Sequence, residues 1–183
     1  MPFLVIVYLF VIGYLALLAQ MVLPVIFEAI CPALNVVGCG SALIPMLVIY
    51  ASMEVGEAAP LLAGALGLLL DLNSQHRLGT SPLILCSISV LIVTQAYKPE
   101  SRLWIIRLTY VLVGTFVFML LDYFFILVET ARWYWTIDIW TKITFASLIN
   151  VVLYPFFYFA VGIIPRALGW KSISQLHPRR YAR

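Results

Sequence analysis

Long runs of apolar residues alternate with short polar breaks along almost the whole chain of 183 residues. A helix that crosses the hydrocarbon core of a bilayer needs about 20 apolar residues, at a rise of about 1.5 Å per residue. Six runs come close to this length, over about residues 3–27, 34–53, 58–72, 81–97, 103–128 and 139–164. The pattern therefore predicts an all-α integral membrane protein, a compact bundle of about six transmembrane helices.

Glycine and proline interrupt this pattern at two places. Gly38, Gly40 and Pro45 fall within the second run, so the second helix is expected to be short or broken. Pro155 lies within the sixth run and predicts a kink, because proline removes a helical hydrogen bond. The polar breaks between the runs are too short to hold a soluble domain.

The composition indicates that lipid is the main solvent of the chain. Hydrophobic residues make up 64% of the sequence and charged residues only 10%, whereas an ordinary soluble domain is about a quarter charged. The mean hydropathy is +1.06. No basic segment is interleaved with aromatic residues in the manner of a nucleic-acid interface, so nucleic acid is not an expected partner.

The basic residues are unevenly distributed, and this predicts the orientation. The last segment contains Arg166, Lys171, Arg179, Arg180 and Arg183. Basic residues next to transmembrane helices stay in the cytoplasm. We therefore expect residues 1–164 to form a transmembrane domain with both ends in the cytoplasm, and residues 165–183 to form a basic cytoplasmic tail. Attraction to anionic lipid headgroups is the simplest role of this tail.

Polar residues within the apolar runs are candidate sites. Asp122 in the fifth run and Lys142 in the sixth are expected to lie on antiparallel neighbouring helices and to form an internal ion pair. Gln20 and Asn150 are expected to form hydrogen bonds between helices. A ligand pocket lined by Gln20, Asp71, Asp122 and Asn150 is the alternative interpretation.

No pattern of catalysis or cofactor binding is found in the sequence. It contains no nucleophile elbow and no glycine-rich phosphate loop, so we expect neither an enzyme nor a cofactor. Glu54 and Glu57 are expected to cap the third helix, where its dipole favours acidic residues. The histidines and cysteines lack the spacing of a metal site. The sequence leaves open whether Cys31 and Cys39 form a disulfide. Packing of both cysteines as small apolar residues is the simpler interpretation.

The third run carries the most distinctive pattern. Ala59, Ala63 and Gly67 recur every four residues, and Asp71 continues the same stripe. Small residues at this spacing let a neighbouring backbone approach closely, so the stripe is the predicted surface for helix packing and for a partner helix. Asp71 has two interpretations: it fixes the following turn and the start of the next helix, or it contacts a substrate, an ion or a partner.

This part of the chain resembles the rod shape-determining protein MreD family. The resemblance rests on the sequence Gly-Leu-Leu-Leu-Asp-Leu at Gly67 to Leu72, and on Leu78 and Gly79 before the next helix. The intervening turn, Asn73 to Arg77, departs from the glycine- and proline-containing turn that is usual in the family. The family's Pro-Asp ahead of the second helix is also missing, since Pro45 lies within the apolar run and no aspartate accompanies it.

The resemblance implies a non-enzymatic component of the bacterial cell-elongation machinery, in the inner membrane, with MreC as its partner. It also implies association with the actin-like protein MreB, with RodA and with a class B penicillin-binding protein. MreD proteins are similar to the substrate-binding subunits of energy-coupling-factor transporters. The alternative function is therefore a substrate-binding membrane subunit of a small-molecule, vitamin-type transporter. The first run has Ala16 and Ala19 three residues apart and so lacks the Ala-x-x-x-Ala pattern frequent in those subunits.

Overall fold

The computed structural model describes residues 2–30, 43–73, 78–97, 103–130 and 137–167. These residues form six α-helices, α1 (Pro2–Ile30), α2 (Leu43–Glu54), α3 (Ala59–Asn73), α4 (Thr80–Ala96), α5 (Trp104–Thr130) and α6 (Ile137–Ala167). One turn of 3₁₀ helix, Gly56–Ala58, joins α2 to α3. The prediction of an all-helical protein is confirmed for this part of the chain.

Three of these helices are long and apolar enough to cross a membrane, over Phe3–Val22 in α1, Trp104–Thr130 in α5 and Ile139–Ile163 in α6. The helices α2, α3 and α4 have 12, 15 and 17 residues. At about 1.5 Å per residue they are about 18, 22 and 26 Å long, which is shorter than the roughly 30 Å hydrocarbon core. The six predicted runs thus correspond to six helices, while six full crossings of the membrane stay a prediction.

The short helix α2 lies at the centre of the protein. Every residue from Ile44 to Glu54 is buried, as expected for a helix that is apolar on all sides. Its Leu47 lies close to Gly13 of α1, and its Ile49 lies close to Gly114 of α5. Pro45 lies within α2 and is itself buried. The other two residues expected to interrupt this run, Gly38 and Gly40, lie outside the described residues.

The beginning of α1 and the end of α6 lie side by side. The hydroxyl of Tyr8 donates a hydrogen bond to the carbonyl oxygen of Val161 at 3.1 Å. The helices α5 and α6 are antiparallel, since Trp104 at the start of α5 packs against Tyr158 near the end of α6. The helix α6 continues without a break through Pro155. One end of the bundle therefore collects the start of α1, the start of α5 and the end of α6.

The outward-facing surface of the long helices is apolar. Phe3 and Val11 of α1, Ile105 of α5, and Val152 and Phe156 of α6 are all exposed. Large contiguous apolar surfaces are rare on proteins surrounded by water. The surface therefore suits lipid or the helices of other membrane proteins.

Candidate functional site

A buried ion pair joins α2 to α5 at the end of the bundle where α5 begins. Nη1 of Arg107 donates a hydrogen bond to Oε1 of Glu54 at 2.7 Å. Only 7% of Arg107 and 8% of Glu54 is exposed. An isolated charge is costly away from water, so each side chain is tolerated there because the other neutralises it.

Aromatic side chains enclose this ion pair. The hydroxyl of Tyr158 donates to Oε1 of Glu54 at 3.3 Å, and the guanidinium carbon of Arg107 lies 5.2 Å from the centre of the Tyr158 ring, within cation–π range. The rings of Trp104 and Tyr50 contact the Tyr158 ring edge to face, at 4.9 and 5.5 Å between centroids. We refer to Glu54, Arg107, Tyr158, Trp104 and Tyr50 as the Glu54–Arg107 cluster. It connects α2, α5 and α6.

The local sequence explains why Glu54 reaches this position. It is the last residue of α2, and Gly56, two residues later, has a φ of +74°, a conformation that favours glycine and turns the chain toward α3. The negative end of the α2 dipole disfavours a carboxylate at this place. Glu54 therefore depends on Arg107 and Tyr158 for its stabilisation.

The sequence-based site predictions did not include this pair. The expectation that Glu54 caps the third helix is wrong, because its carboxylate contacts Arg107 on α5 and Tyr158 on α6 instead. A signal was present in the sequence: Arg107 interrupts an apolar run, and a basic residue within a membrane helix needs a partner. If successive helices alternate in direction, the end of α2 and the start of α5 lie at the same end of the bundle. Glu54 and Arg107 would then be expected close together.

The predicted small-residue stripe lies inside the protein, and its Gly67 and Asp71 lie against the start of α4. Ala59, Ala63, Gly67 and Asp71 are all buried. A methyl group at Gly67 would lie 2.5 Å from the backbone nitrogen and Cα of Pro82 in α4, so this approach of the helices requires glycine. The stripe therefore packs helix against helix within the chain. The expectation that a partner helix docks on it needs correction, since all four residues are already buried within the chain.

Asp71 organises the start of α4. Its carboxylate accepts hydrogen bonds from the backbone N–H groups of Gly79, at 2.6 Å, and Ser81, at 3.3 Å. Gly79 is the N-cap residue and has no side chain for this purpose, and its φ of +109° favours glycine. Asp71 thus supplies from α3 the acceptor that an N-cap side chain normally provides. This geometry favours the structural interpretation of Asp71.

The other predicted polar sites are placed as follows. Asp122 is half-buried on α5 and Lys142 is exposed on α6. Both make contacts, and an ion pair between the two stays a prediction. Asn150 is buried on α6, but its Nδ2 makes no hydrogen bond to the described part of the chain, so the hydrogen bond expected for it is absent there. Gln20 is half-buried and makes contacts of its own.

Most of the predicted basic tail and two of the cysteines lie outside the residues that the structure describes. Arg166 belongs to the last turn of α6, beyond the predicted end of the transmembrane domain at residue 164. Among the residues singled out from the sequence, those outside the described ranges include Cys31, Cys39, Lys171, Arg179, Arg180 and Arg183.

The described residues contain an apolar pocket between α4 and α5. Its volume is about 230 Å³, and it is lined by Ile88, Leu91, Ile92, Gln95, Tyr110, Val113, Gly114 and Val117. Such a lining offers few polar groups to a vitamin-type substrate. No group of three or more His, Cys, Asp or Glu side chains within the described ranges is placed to hold a metal ion.

Comparisons with known proteins identify no family for this chain. The resemblance to the MreD family therefore depends on the residues from Gly67 to Leu72 and on Leu78 and Gly79. Neither a protein-family model, nor a curated protein, nor a solved structure matches this chain.

Proposed function

We propose that this protein is a non-enzymatic, multi-pass component of the bacterial cell-elongation machinery, located in the inner membrane, and that it binds MreC. The proposal is supported by the residues from Gly67 to Leu72 together with Leu78 and Gly79. Gly67 sets the close contact of α3 with α4, and Asp71 holds the start of α4 through Gly79. The residues that support the resemblance thus act together as one structural unit.

The helical character of the chain supports an action within the bilayer. Three helices are long and apolar enough to cross it, and their outward faces are apolar. Contacts with a single-span partner such as MreC would be made by these faces, through close packing. Since Ala59, Ala63, Gly67 and Asp71 are buried within the chain, we assign the contact to an outward face of α1, α5 or α6.

Purification from native membranes tests the proposal. We expect MreC to accompany the protein, with MreB, RodA and the class B penicillin-binding protein as further members of the assembly. Absence of MreC from the purified material, or conversion of a substrate by the isolated protein, would contradict the proposal. A bound vitamin in place of MreC would support the transporter alternative.

Photo-crosslinking then locates the contact. A crosslinking amino acid at an outward position of α1, such as Val11, is compared with one at Leu9, which is fully buried on the same helix. Equivalent outward positions on α5 and α6 are Ile105 and Val152. Crosslinks to MreC are expected from an outward position on at least one of these helices and not from Leu9. Crosslinking from Leu9 alone would contradict an outward docking face.

A further inference from the structure

The apolar pocket between α4 and α5 is a groove that opens toward the outside of the bundle. Leu91 and Val113 line it, and 67% and 52% of their surfaces are exposed. The buried residues Ile88 and Gly114 form its floor. The helix α5 is long and apolar enough to cross a membrane. The groove therefore opens sideways, where such a helix meets the hydrocarbon of the bilayer.

Two polar side chains lie at one end of this groove. Because α4 and α5 are consecutive helices joined by a short connection, they run antiparallel. Gln95 lies two turns beyond Ile88, toward the end of α4, and Tyr110 lies one turn before Gly114, toward the start of α5. Both side chains are half-buried, and neither makes a hydrogen bond to the described residues. Their donors are thus available at the end of the groove next to the connection.

This end of the groove lies just inside the membrane boundary. Trp104 begins α5, and tryptophan rings favour the level of the lipid headgroups. Tyr110 follows six residues later, which is about 9 Å along the helix, and side chains on a helix lean toward its start. The Tyr110 hydroxyl therefore lies near the depth at which ester groups join the acyl chains of a phospholipid to its glycerol.

The size of the groove suits a single hydrocarbon chain. The groove follows α4 from Ile88 to Gln95, over about 10 Å, and its volume is about 230 Å³. A helix about 10 Å across would occupy about 800 Å³ over the same length, so a partner helix does not fit inside. Pockets for drug-sized ligands are also larger, at about 300–1,000 Å³.

The charges beside the groove favour an anionic headgroup. The connection between α4 and α5 lies outside the described residues, but its sequence contains Lys98, Glu100 and Arg102, a net charge of +1. Basic residues close to the membrane surface attract anionic lipids by about 1 kcal/mol each. None of the described residues that line the groove is acidic.

We propose that the groove between α4 and α5 binds one acyl chain of an anionic phospholipid. The chain lies along Ile88 and Val113, and its ester carbonyl accepts hydrogen bonds from Nε2 of Gln95 and from the hydroxyl of Tyr110. An ester carbonyl only accepts hydrogen bonds, and the amide NH₂ and the phenol hydroxyl both donate them. This lipid stays with the protein when the surrounding bilayer is removed.

Native mass spectrometry of the protein purified from membranes in a mild detergent tests the proposal. We expect one anionic phospholipid per protein. Val113→Trp fills the groove and should lower the fraction of protein that carries the lipid by about tenfold, because overpacking of about 1–3 kcal/mol opposes the chain. Val128→Trp is the matched control, since Val128 lies on the same helix outside the groove and is 49% exposed. Equal retention of the lipid in the two variants would overturn the proposal.

Removal of the donors tests the position of the ester group. Gln95→Leu and Tyr110→Phe each remove one hydrogen bond and should lower retention of the lipid by about 2–10-fold. Thr94→Val is the control, since Thr94 is exposed beside Gln95 and its hydroxyl donates to the carbonyl oxygen of Leu91 at 2.7 Å. Retention that falls no further in the two donor variants than in the control would contradict the ester contact.

Photo-crosslinking keeps the proposal testable if a variant does not fold. The unchanged protein is placed in phosphatidylcholine vesicles that contain a small fraction of phosphatidylglycerol with a diazirine in one acyl chain. We expect labelling at Leu91 and Val113 to exceed that at Phe156, which is 73% exposed on α6. Unlabelled phosphatidylglycerol should compete, and additional phosphatidylcholine should not. Equal labelling of all outward faces would show general contact with the bilayer only and would overturn the proposal.

Discussion

The charged side chains in the core of this protein are supported by particular neighbours. Glu54 contacts Arg107 at 2.7 Å and Tyr158 at 3.3 Å, while Asp71 accepts two backbone N–H groups at the start of α4. The first arrangement balances one charge with another, and the second satisfies a carboxylate with helix-end donors. The two therefore respond differently to the loss of a partner.

Removal of Arg107 is expected to be more damaging than removal of the whole ion pair. Arg107→Met leaves Glu54 buried without a cation, and we expect a loss of about 3–5 kcal/mol in the free energy of unfolding. The double variant Glu54→Leu/Arg107→Met removes both charges and is expected to recover most of that loss. Denaturant unfolding of the purified variants measures both values. If the double variant loses as much stability as Arg107→Met alone, the loss does not come from an unpaired Glu54 charge. That outcome would contradict the role given to Arg107.

The Asp71 carboxylate is expected to stabilise the start of α4. Asp71→Ala removes the acceptor for Gly79 and Ser81 and should cost about 1–2 kcal/mol in the free energy of unfolding. Asp71→Asn keeps one acceptor oxygen and should lose less. Glu57→Ala, at an exposed residue beside the start of α3, is the control and should change little. A smaller loss for Asp71→Ala than for Asp71→Asn would contradict the capping role.

At the scale of elements, the contact of α3 with α4 depends on one glycine. A methyl at Gly67 would lie 2.5 Å from backbone atoms of Pro82, which cannot move aside alone. A methyl at Gly64, one turn earlier, would lie 3.2 Å from the Sγ atom of Cys86, a side-chain atom that can shift. The two glycines therefore provide a matched comparison on one helix.

Gly67→Ala is expected to separate α3 from α4. Forcing the two backbones apart should cost about 1–3 kcal/mol in the free energy of unfolding, and Gly64→Ala should cost clearly less. Thermal unfolding in detergent micelles compares the variants. If both glycines tolerate alanine equally, the close approach at Pro82 is not what holds the two helices together.

The sequence predicted the positions of the helices better than their contacts. The predicted run 58–72 corresponds closely to α3 (Ala59–Asn73), because polar breaks mark both of its ends. The predicted run 34–53 overlaps α2 (Leu43–Glu54), and the earlier part of that run lies outside the described residues. Glu54 and Arg107 are separated by 53 positions along the chain. Only the placement of α2 against α5 brings them together.

At the scale of the whole molecule, the beginning of α1 and the end of α6 share one end of the bundle. The hydrogen bond from Tyr8 to Val161 joins these two regions. The same end holds Arg107 at the start of α5. This arrangement favours an orientation in which both ends of the helical domain face the same compartment.

Reporter fusions are expected to place both ends in the cytoplasm. Reporters attached before α1 and after α6 should both give the cytoplasmic signal, because basic residues concentrate after α6. A reporter inserted between α5 and α6 is the control and should give the opposite signal, since these helices are antiparallel. Signals on opposite sides from the two ends would contradict the orientation.

The enclosure of α2 has a consequence for how the protein is made. The helix α2 ends in a buried carboxylate whose cation lies on α5, so it is a poor substrate for insertion into the hydrocarbon core before α5 is present. The helices that surround α2 are complete only after the ribosome has released α5 and α6. Arg107 becomes available to Glu54 with α5. We therefore expect a nascent chain that stops after α4 to leave α2 at the membrane surface. Final assembly then follows the synthesis of the carboxyl-terminal hairpin.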